Sequence, residues 1–67
     1  MLHMVLDNLV KNSQVCVIYF NDDTKIVIDK KKSIPYIEHV GEQYIAIRTD
    51  SNSVFYMLNS IFKIECW

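Results

Sequence analysis

The stretch VCVIYFNDDTKIVI, residues 15–28, decides the fold of this chain. Its first run, residues 15–20, is apolar on both alternating faces, and in its second run Ile26 and Ile28 share one face. The polar segment between the runs is rich in Asn and Asp, whose side chains hydrogen-bond their own backbone and tolerate left-handed geometry. We therefore predict an antiparallel hairpin with a tight turn at residues 21–24, since a calcium loop would need more oxygen ligands and a longer spacing.

A short amphipathic helix is predicted before the hairpin, over residues 2–10. Its apolar residues recur at helical spacing on one face, and they are Leu2, Val5, Leu6 and Leu9. Asp7 and Lys11 lie four apart on the opposite face, in the favourable order for an ion pair. Because so short a helix is marginal alone, its apolar stripe should dock on the rest of the chain.

More short strands are predicted after the hairpin. Alternation of apolar and polar residues indicates three of them, at Tyr44–Thr49, Val54–Leu58 and Ile61–Cys66. Tyr36–Val40 is either a further strand or the bent continuation of the hairpin's second strand. Pro35 lacks an N–H group, so it belongs at a strand start, a sheet edge or a bulge.

These elements predict one domain of 67 residues in the mainly β class. A helix over residues 1–12 is followed, over residues 14–67, by a five- or six-stranded antiparallel small barrel, an arrangement typical of many short strands with tight turns. Apolar residues make up 51% of the chain, more than a core of this size can cover, so we expect exposed apolar surface and a homo-oligomer. A monomer with an ordinary apolar surface is the alternative.

The order of elements resembles that of the Sm-like members of the SH3-like small-barrel group. Three segments carry the resemblance: QVCVIYFNDDTKIVI, HVGEQYIAIRT and SVFYMLNSIFKIE. The resemblance implies a ring in which one strand edge of a protomer pairs with the next protomer, and those edges would be Val54–Leu58 and Ile61–Cys66. The sequence departs from the family at Val27, about where a glycine usually permits a sharp bend. It also lacks the family's Asp-x-x-Asn-type RNA-binding motif in HVGEQY, so that role cannot be carried over by position.

Charge and the length of apolar runs exclude two classes of partner. The chain carries seven basic and eight acidic residues, for a net charge of −1, whereas a domain that depends on DNA phosphates is usually basic. The longest uninterrupted apolar run is Val15–Phe20, far short of a membrane span. We therefore expect neither duplex DNA nor a membrane as a partner, and we expect a cytoplasmic location.

The spacing of reactive residues indicates no catalysis, cofactor or metal, and the sequence predicts that the protein is not an enzyme. Neither Cys16 nor Cys66 lies beside a histidine or at a predicted helix start, where the pKa of its thiol would fall. A zinc site needs about four ligands, usually in close pairs, whereas His3, His39 and the cysteines are scattered singly. We expect both thiols to be free in a reducing compartment, with a Cys16–Cys66 bridge as the alternative.

Two groups of residues are candidates for binding an anionic ligand. Tyr44 and Arg48 share a strand face, where an aromatic ring and a guanidinium could stack on a base and hold its phosphate. Lys30, Lys31 and Lys32 form a basic run that could contact phosphate. Alternatively, Tyr44 packs under the helix or in an interface, and the lysines form a solvated tip that discourages edge-to-edge pairing.

These candidates predict a non-enzymatic, oligomeric binding module that captures an anionic ligand, either a nucleotide or a short RNA. A ring would repeat the lysine run in every protomer and so build a strong local field. The small size suits a bacterial or phage accessory protein that sequesters its ligand. The alternative is a protein–protein inhibitor or adaptor that offers an apolar strand edge to its target.

Overall fold

A computed structural model describes residues 2–67 of the chain, with side chains from His3 onward. It contains one α-helix, six strands and one short 3-10 turn. In chain order they are α1 (Leu2–Asn12), β1 (Val15–Phe20), β2 (Lys25–Asp29), β3 (Tyr36–Val40), β4 (Tyr44–Arg48), β5 (Ser53–Met57), the 3-10 turn (Leu58–Ser60) and β6 (Ile61–Cys66).

The six strands form two antiparallel sheets of three strands each. The order in the first sheet is β2-β1-β6, and the order in the second sheet is β3-β4-β5. Tyr36–Val40 is therefore a separate strand that belongs to the second sheet, because it pairs with β4 and not with β1. The prediction of a mainly β chain with one short N-terminal helix is confirmed.

The first hairpin forms as the sequence predicts. β1 and β2 pair from Val15 opposite Asp29 to Tyr19 opposite Lys25. In the turn, one carboxylate oxygen of Asp22 accepts hydrogen bonds from the Thr24 backbone N–H at 3.1 Å and from its hydroxyl at 2.6 Å. These two bonds stabilise the charged carboxylate and lower its pKa.

Asp23 supplies the left-handed residue of this turn, with φ of 70°. Replacing Asp23 with valine should lower the free energy of unfolding by about 1–2 kcal/mol, because a β-branched residue is strained at positive φ. Replacing it with glycine should change stability by no more than about 0.5 kcal/mol, since glycine adopts this φ without a clash. Urea unfolding followed by circular dichroism measures both variants. Equal stability of the two would contradict a left-handed backbone at this position.

One buried cluster joins both sheets to the helix. It consists of Leu6, Cys16, Ile18, Phe20, Ile28, Ile45, Ile47 and Leu58. Ile18 in β1 and Ile45 and Ile47 in β4 are fully buried, as expected for the central strands of the two sheets. The predicted inward face of β4 is confirmed.

The helix docks through a different face from the one predicted. Leu6 is fully buried and Val10 packs against the core, whereas Val5 is 53% exposed and Leu9 is 37% exposed. The side chain of Leu2 lies outside the described residues. The predicted stripe is confirmed at Leu6 and wrong at Val5 and Leu9, because α1 carries apolar residues around much of its circumference and contact with the sheets selects which of them face inward. The predicted ion pair between Asp7 and Lys11 forms, with a separation of 3.0 Å.

Of the last two strands, β6 has its predicted bounds, Ile61–Cys66, and β5 differs slightly from its predicted bounds. β5 ends at Met57, and Leu58 starts the 3-10 turn and is buried in the core, so Leu58 is not part of the strand edge. Trp67 follows β6, and its backbone exchanges two hydrogen bonds with Val15 while its ring is exposed. Within residues 2–67, no helix has the length and hydropathy that crossing a membrane requires.

Candidate ligand-binding face

The outer face of the second sheet carries the candidate residues Tyr44 and Arg48. Strand alternation points both side chains away from Ile45 and Ile47, and Ala46 lies between them on the same face. Ala46 is nevertheless buried. Larger side chains on either side therefore cover the middle of this face.

Three rings form a row on this face, which we call the aromatic row: His39, Tyr44 and Phe55. The ring centroid of Tyr44 lies 5.6 Å from that of His39 on β3 and 5.6 Å from that of Phe55 on β5. Both pairs are tilted, with interplanar angles of 45° and 40°, which is a favourable arrangement for aromatic rings. Tyr44 is half-buried between its neighbours, whereas Phe55 is 66% exposed.

Gly41 fixes the position of the Tyr44 ring from one side. The Gly41 N–H donates to the Tyr44 carbonyl at 2.8 Å. A Cβ atom at position 41 would lie 2.6 Å from Cε1 and 2.9 Å from Cδ1 of the Tyr44 ring, closer than real Cβ contacts allow. The only glycine of the chain therefore lets the ring lie directly on the backbone of the turn between β3 and β4.

Arg48 lies at the other end of the same face. Its Nη1 atom donates to the Ser53 hydroxyl at 3.4 Å, and that hydroxyl donates to Oε1 of Glu38 at 2.6 Å. The guanidinium is exposed, and Glu38 places an acceptor within the same short network. Tyr44 and Arg48 are four residues apart in one strand, so their Cα atoms are separated by about 13 Å.

The lysine run lies elsewhere, in the turn that follows β2 in the first sheet. The Lys30 ammonium donates to the Lys11 carbonyl at 2.9 Å, and so satisfies one of the free carbonyl groups at the end of α1. The backbone N–H groups of Lys31 and Lys32 both donate to Asp29. The structure thus brings Tyr44 and Arg48 onto one face of the second sheet. The three lysines lie apart from them, in the turn after β2, and the Lys30 ammonium is bonded to the end of the helix.

His39 and Phe55 join the candidate residues on this face, although alternation alone did not find them. The β3–β4 register shifts between Ile37 and His39, so Glu38 is an extra residue in the strand. This bulge moves His39 to the outer face opposite Ala46, where plain alternation would have placed it on the inner face with Ile37. Phe55 on β5 also lies opposite Ala46, across from His39 on β3. This pairing depends on the register of β4 and β5, which the length of the turn between them sets.

Similarity to known proteins does not assign a function to this chain. Comparisons with protein-family models, curated proteins and solved structures gave no match. Among residues 2–67, no group of three or more His, Cys, Asp or Glu side chains is arranged to hold a metal ion. The aromatic row and its neighbouring guanidinium are therefore the features on which a functional proposal can be built.

Proposed function

We propose that the protein is a non-enzymatic, self-assembling binding module that captures a short single-stranded RNA or a related anionic nucleotide ligand in the cytoplasm. The observation that carries the proposal is the aromatic row, in which Tyr44 is held between His39 and Phe55 with the exposed Arg48 on the same face. Bases stack on such rings with little dependence on sequence, and guanidinium groups bind phosphate.

The spacing of the face favours an extended ligand over a mononucleotide. Tyr44 and Arg48 stand about 13 Å apart along β4, so a base on the Tyr44 ring and a phosphate on Arg48 would come from different parts of one strand. Phe55 extends the stacking surface sideways because its ring is largely exposed beside that of Tyr44. Lys31 and Lys32 would supply additional charge along the path of a longer ligand, while Lys30 holds α1.

The two sheets are further proposed to be the halves of a small SH3/Sm-like barrel. β2 and β3 follow one another in the chain and would form one corner, joined by residues 30–35. β5 and β6 would form the opposite corner, where only the 3-10 turn Leu58–Ser60 separates them. The shared core supports this arrangement, because Ile18 of the first sheet and Ile47 of the second belong to one buried cluster.

Self-assembly would use the edges of β5 and β6. Leu58 N–H donates to the Gln43 carbonyl at 2.9 Å, so the alternation of hydrogen-bonded pairs directs the backbone groups of Phe55 and Met57 away from β4. Within residues 2–67, no strand pairs with this side of β5 or with the outer side of β6. Pairing of β5 from one protomer with β6 from the next would satisfy both edges and cover apolar side chains.

The other two sheet edges are less suited to pairing. β2 begins at Lys25 and ends at Asp29, and charged residues discourage edge association. β3 has its bulge at Glu38, in the middle of the strand. β6 also has a bulge, at Phe62, but this lies at its start and leaves residues 63–66 in regular register with β1.

A protein–protein adaptor is the second candidate function. It is favoured by the exposure of large apolar side chains on β5 and β6, with Met57 51% and Phe62 72% exposed. In that case the edges would bind a different protein instead of a second copy of the chain. Recovery of one partner at fixed stoichiometry, together with absence of RNA binding, would favour the adaptor.

Replacing Tyr44 and Arg48 together with alanine should weaken binding of a labelled single-stranded RNA of about ten nucleotides at low salt by at least about 100-fold. The change removes one stacking ring, worth about 1–3 kcal/mol per base, and one charge-assisted phosphate contact, worth about 1.5–3 kcal/mol. Fluorescence anisotropy measures the affinity, and native mass spectrometry checks that the assembly is unchanged.

A matched control exists on the outer face of the first sheet. There the Lys63 ammonium lies 4.5 Å from the centroid of the Tyr19 ring, and the Tyr19 hydroxyl donates to Glu65 at 2.7 Å. Replacing Tyr19 and Lys63 with alanine removes the same kinds of group and should leave RNA affinity within about twofold. The proposal fails if wild-type protein does not bind RNA at low salt, or if both double variants bind equally well.

A further inference from the structure

Cys16 and Cys66 face one another across two neighbouring strands. They are direct partners in the register of β1 and β6. Val15 and Trp67, the adjacent pair, exchange both backbone hydrogen bonds at 3.1 and 3.0 Å. Because hydrogen-bonded and non-hydrogen-bonded pairs alternate, Cys16 and Cys66 form a non-hydrogen-bonded pair, in which the side chains are closest.

This kind of pair has the geometry that a disulfide needs. Its Cα atoms are about 4.5 Å apart, within the range of about 4.4–6.8 Å found for disulfide-bonded cysteines. Cys16 is buried in the core and Cys66 packs against the same core. Both side chains therefore point to the inner side of the sheet, where the Cys16 thiol donates to the Leu9 carbonyl at 3.9 Å.

We infer that Cys16 and Cys66, which are free thiols in the described structure, are a dithiol–disulfide site at which a small-molecule disulfide such as oxidised glutathione cross-links β1 to β6. The site is independent of the aromatic row, which lies on the outer face of the other sheet. The site differs from a lone buried cysteine because two cysteines lie directly opposite one another in the pairing of β1 and β6.

The difference in exposure sets the order of the chemical steps. Cys66 is partly exposed and Cys16 is almost completely buried. The Cys66 thiolate would attack the glutathione disulfide first, forming a mixed disulfide and releasing one glutathione thiolate. Cys16 would then lose its proton to solvent, and its thiolate would attack the Cys66 sulfur and release the second glutathione thiolate. Two protein thiols are oxidised, and one small-molecule disulfide is reduced to two thiols.

Burial of Cys16 supports this order and predicts how closure depends on pH. Burial and the neighbouring Cys66 raise the pKa of the Cys16 thiol to about 11. The second step needs the Cys16 thiolate, so its rate should rise about tenfold per pH unit through the mildly alkaline range. Cys16 would thus resolve the mixed disulfide slowly near neutrality and faster as the pH rises.

The cross-link would join the beginning of the sheet framework to its end. The closed loop would contain most of β1 and all of the other five strands, and large loops gain the most from cross-linking because the unfolded chain loses the most freedom. We expect the disulfide to increase the folding equilibrium constant on the order of 100-fold and to raise Tm by about 10–20 °C.

The test treats the full-length wild-type protein with excess oxidised glutathione at pH 8, then blocks the remaining thiols and maps peptides by mass spectrometry. The expected product is a Cys16–Cys66 peptide within one chain, with the Tm increase reversed by dithiothreitol. Cys16→Ala should stop at a stable glutathione adduct on Cys66, and Cys66→Ala should leave Cys16 unmodified.

Two results would overturn the inference. One is a wild-type protein that retains glutathione on Cys66 and a reduced Cys16 after prolonged incubation at pH 8 and at pH 9. The other is a cross-link between Cys66 residues of two chains. Neither readout involves RNA binding, so failure here is distinguishable from failure of the proposed function.

Discussion

Replacing Ile18 with alanine is expected to leave most of the protein unfolded at 25 °C. Ile18 is fully buried in β1, the central strand of the first sheet, between Ile26 on β2 and Ile64 on β6. Truncating a buried isoleucine to alanine costs about 2–5 kcal/mol, because the lost transfer free energy and the cavity add together. A single core of this size supplies only about 3–5 kcal/mol of stability, so the loss is comparable to the entire free energy of unfolding.

Val27 provides the matched control for this core substitution. It lies on the adjacent strand with 44% of its surface exposed, so Val27→Ala removes apolar atoms from a site that is already partly hydrated and should cost less than about 1 kcal/mol. Urea unfolding monitored by circular dichroism, at one fixed protein concentration, compares the two variants with wild type. A loss below about 1 kcal/mol for Ile18→Ala would contradict a shared, close-packed core.

Replacing Met57 with proline is expected to dissociate the assembly without unfolding the protomer. The backbone φ of Met57 is −73°, which matches the value that a proline ring imposes. Met57 also stands in a non-hydrogen-bonded pair with Tyr44, so its N–H points to the outer edge of β5 and not into the sheet. Proline would therefore remove an edge donor and an exposed apolar side chain at little cost to the folded chain.

The neighbouring residue gives the opposite expectation. Tyr56 lies opposite Ile45 in a hydrogen-bonded pair, so Tyr56→Pro should lose a ladder hydrogen bond within the sheet and unfold the protein.

Met57→Lys should dissociate the assembly by placing charge on the edge. Val27→Lys should leave the assembly intact, because Val27 lies on β2 and not on a strand proposed to pair between protomers. Sedimentation velocity measures each mass. A folded Met57→Pro variant of unchanged mass would exclude β5 as the interface edge.

The sequence predicted the strands better than the contacts between elements. Alternation identified the inward face of β4, and the side-chain chemistry of Asp22 and Asp23 predicted the first turn, because both are local properties. The docked face of α1 depends on where the following strand begins, and several apolar residues compete for it. Leu6 and Val10 face the core because of that tertiary geometry, which helical periodicity alone does not specify.

The candidate site was predictable only in part for a similar reason. The face shared by Tyr44 and Arg48 follows from a period of two along one strand. The position of His39 depends on the bulge at Glu38, and a bulge leaves no reliable mark in the pattern of apolar residues. The contact of Lys30 with the end of α1 joins residues 19 positions apart. A lysine run therefore resembled a ligand site although one of its members stabilises the helix.

Self-association is the claim on which the interpretation of the exposed apolar strands depends, whereas the aromatic row lies within one protomer and depends on ligand capture. The most direct test is native mass spectrometry of the wild-type protein purified from cells, which reports the subunit number and any bound nucleotide or RNA together. We predict a single species whose mass equals that of two or more 7.9 kDa protomers plus that of the retained RNA or nucleotide. A well-folded particle of 7.9 kDa at high concentration, without ligand, would contradict it.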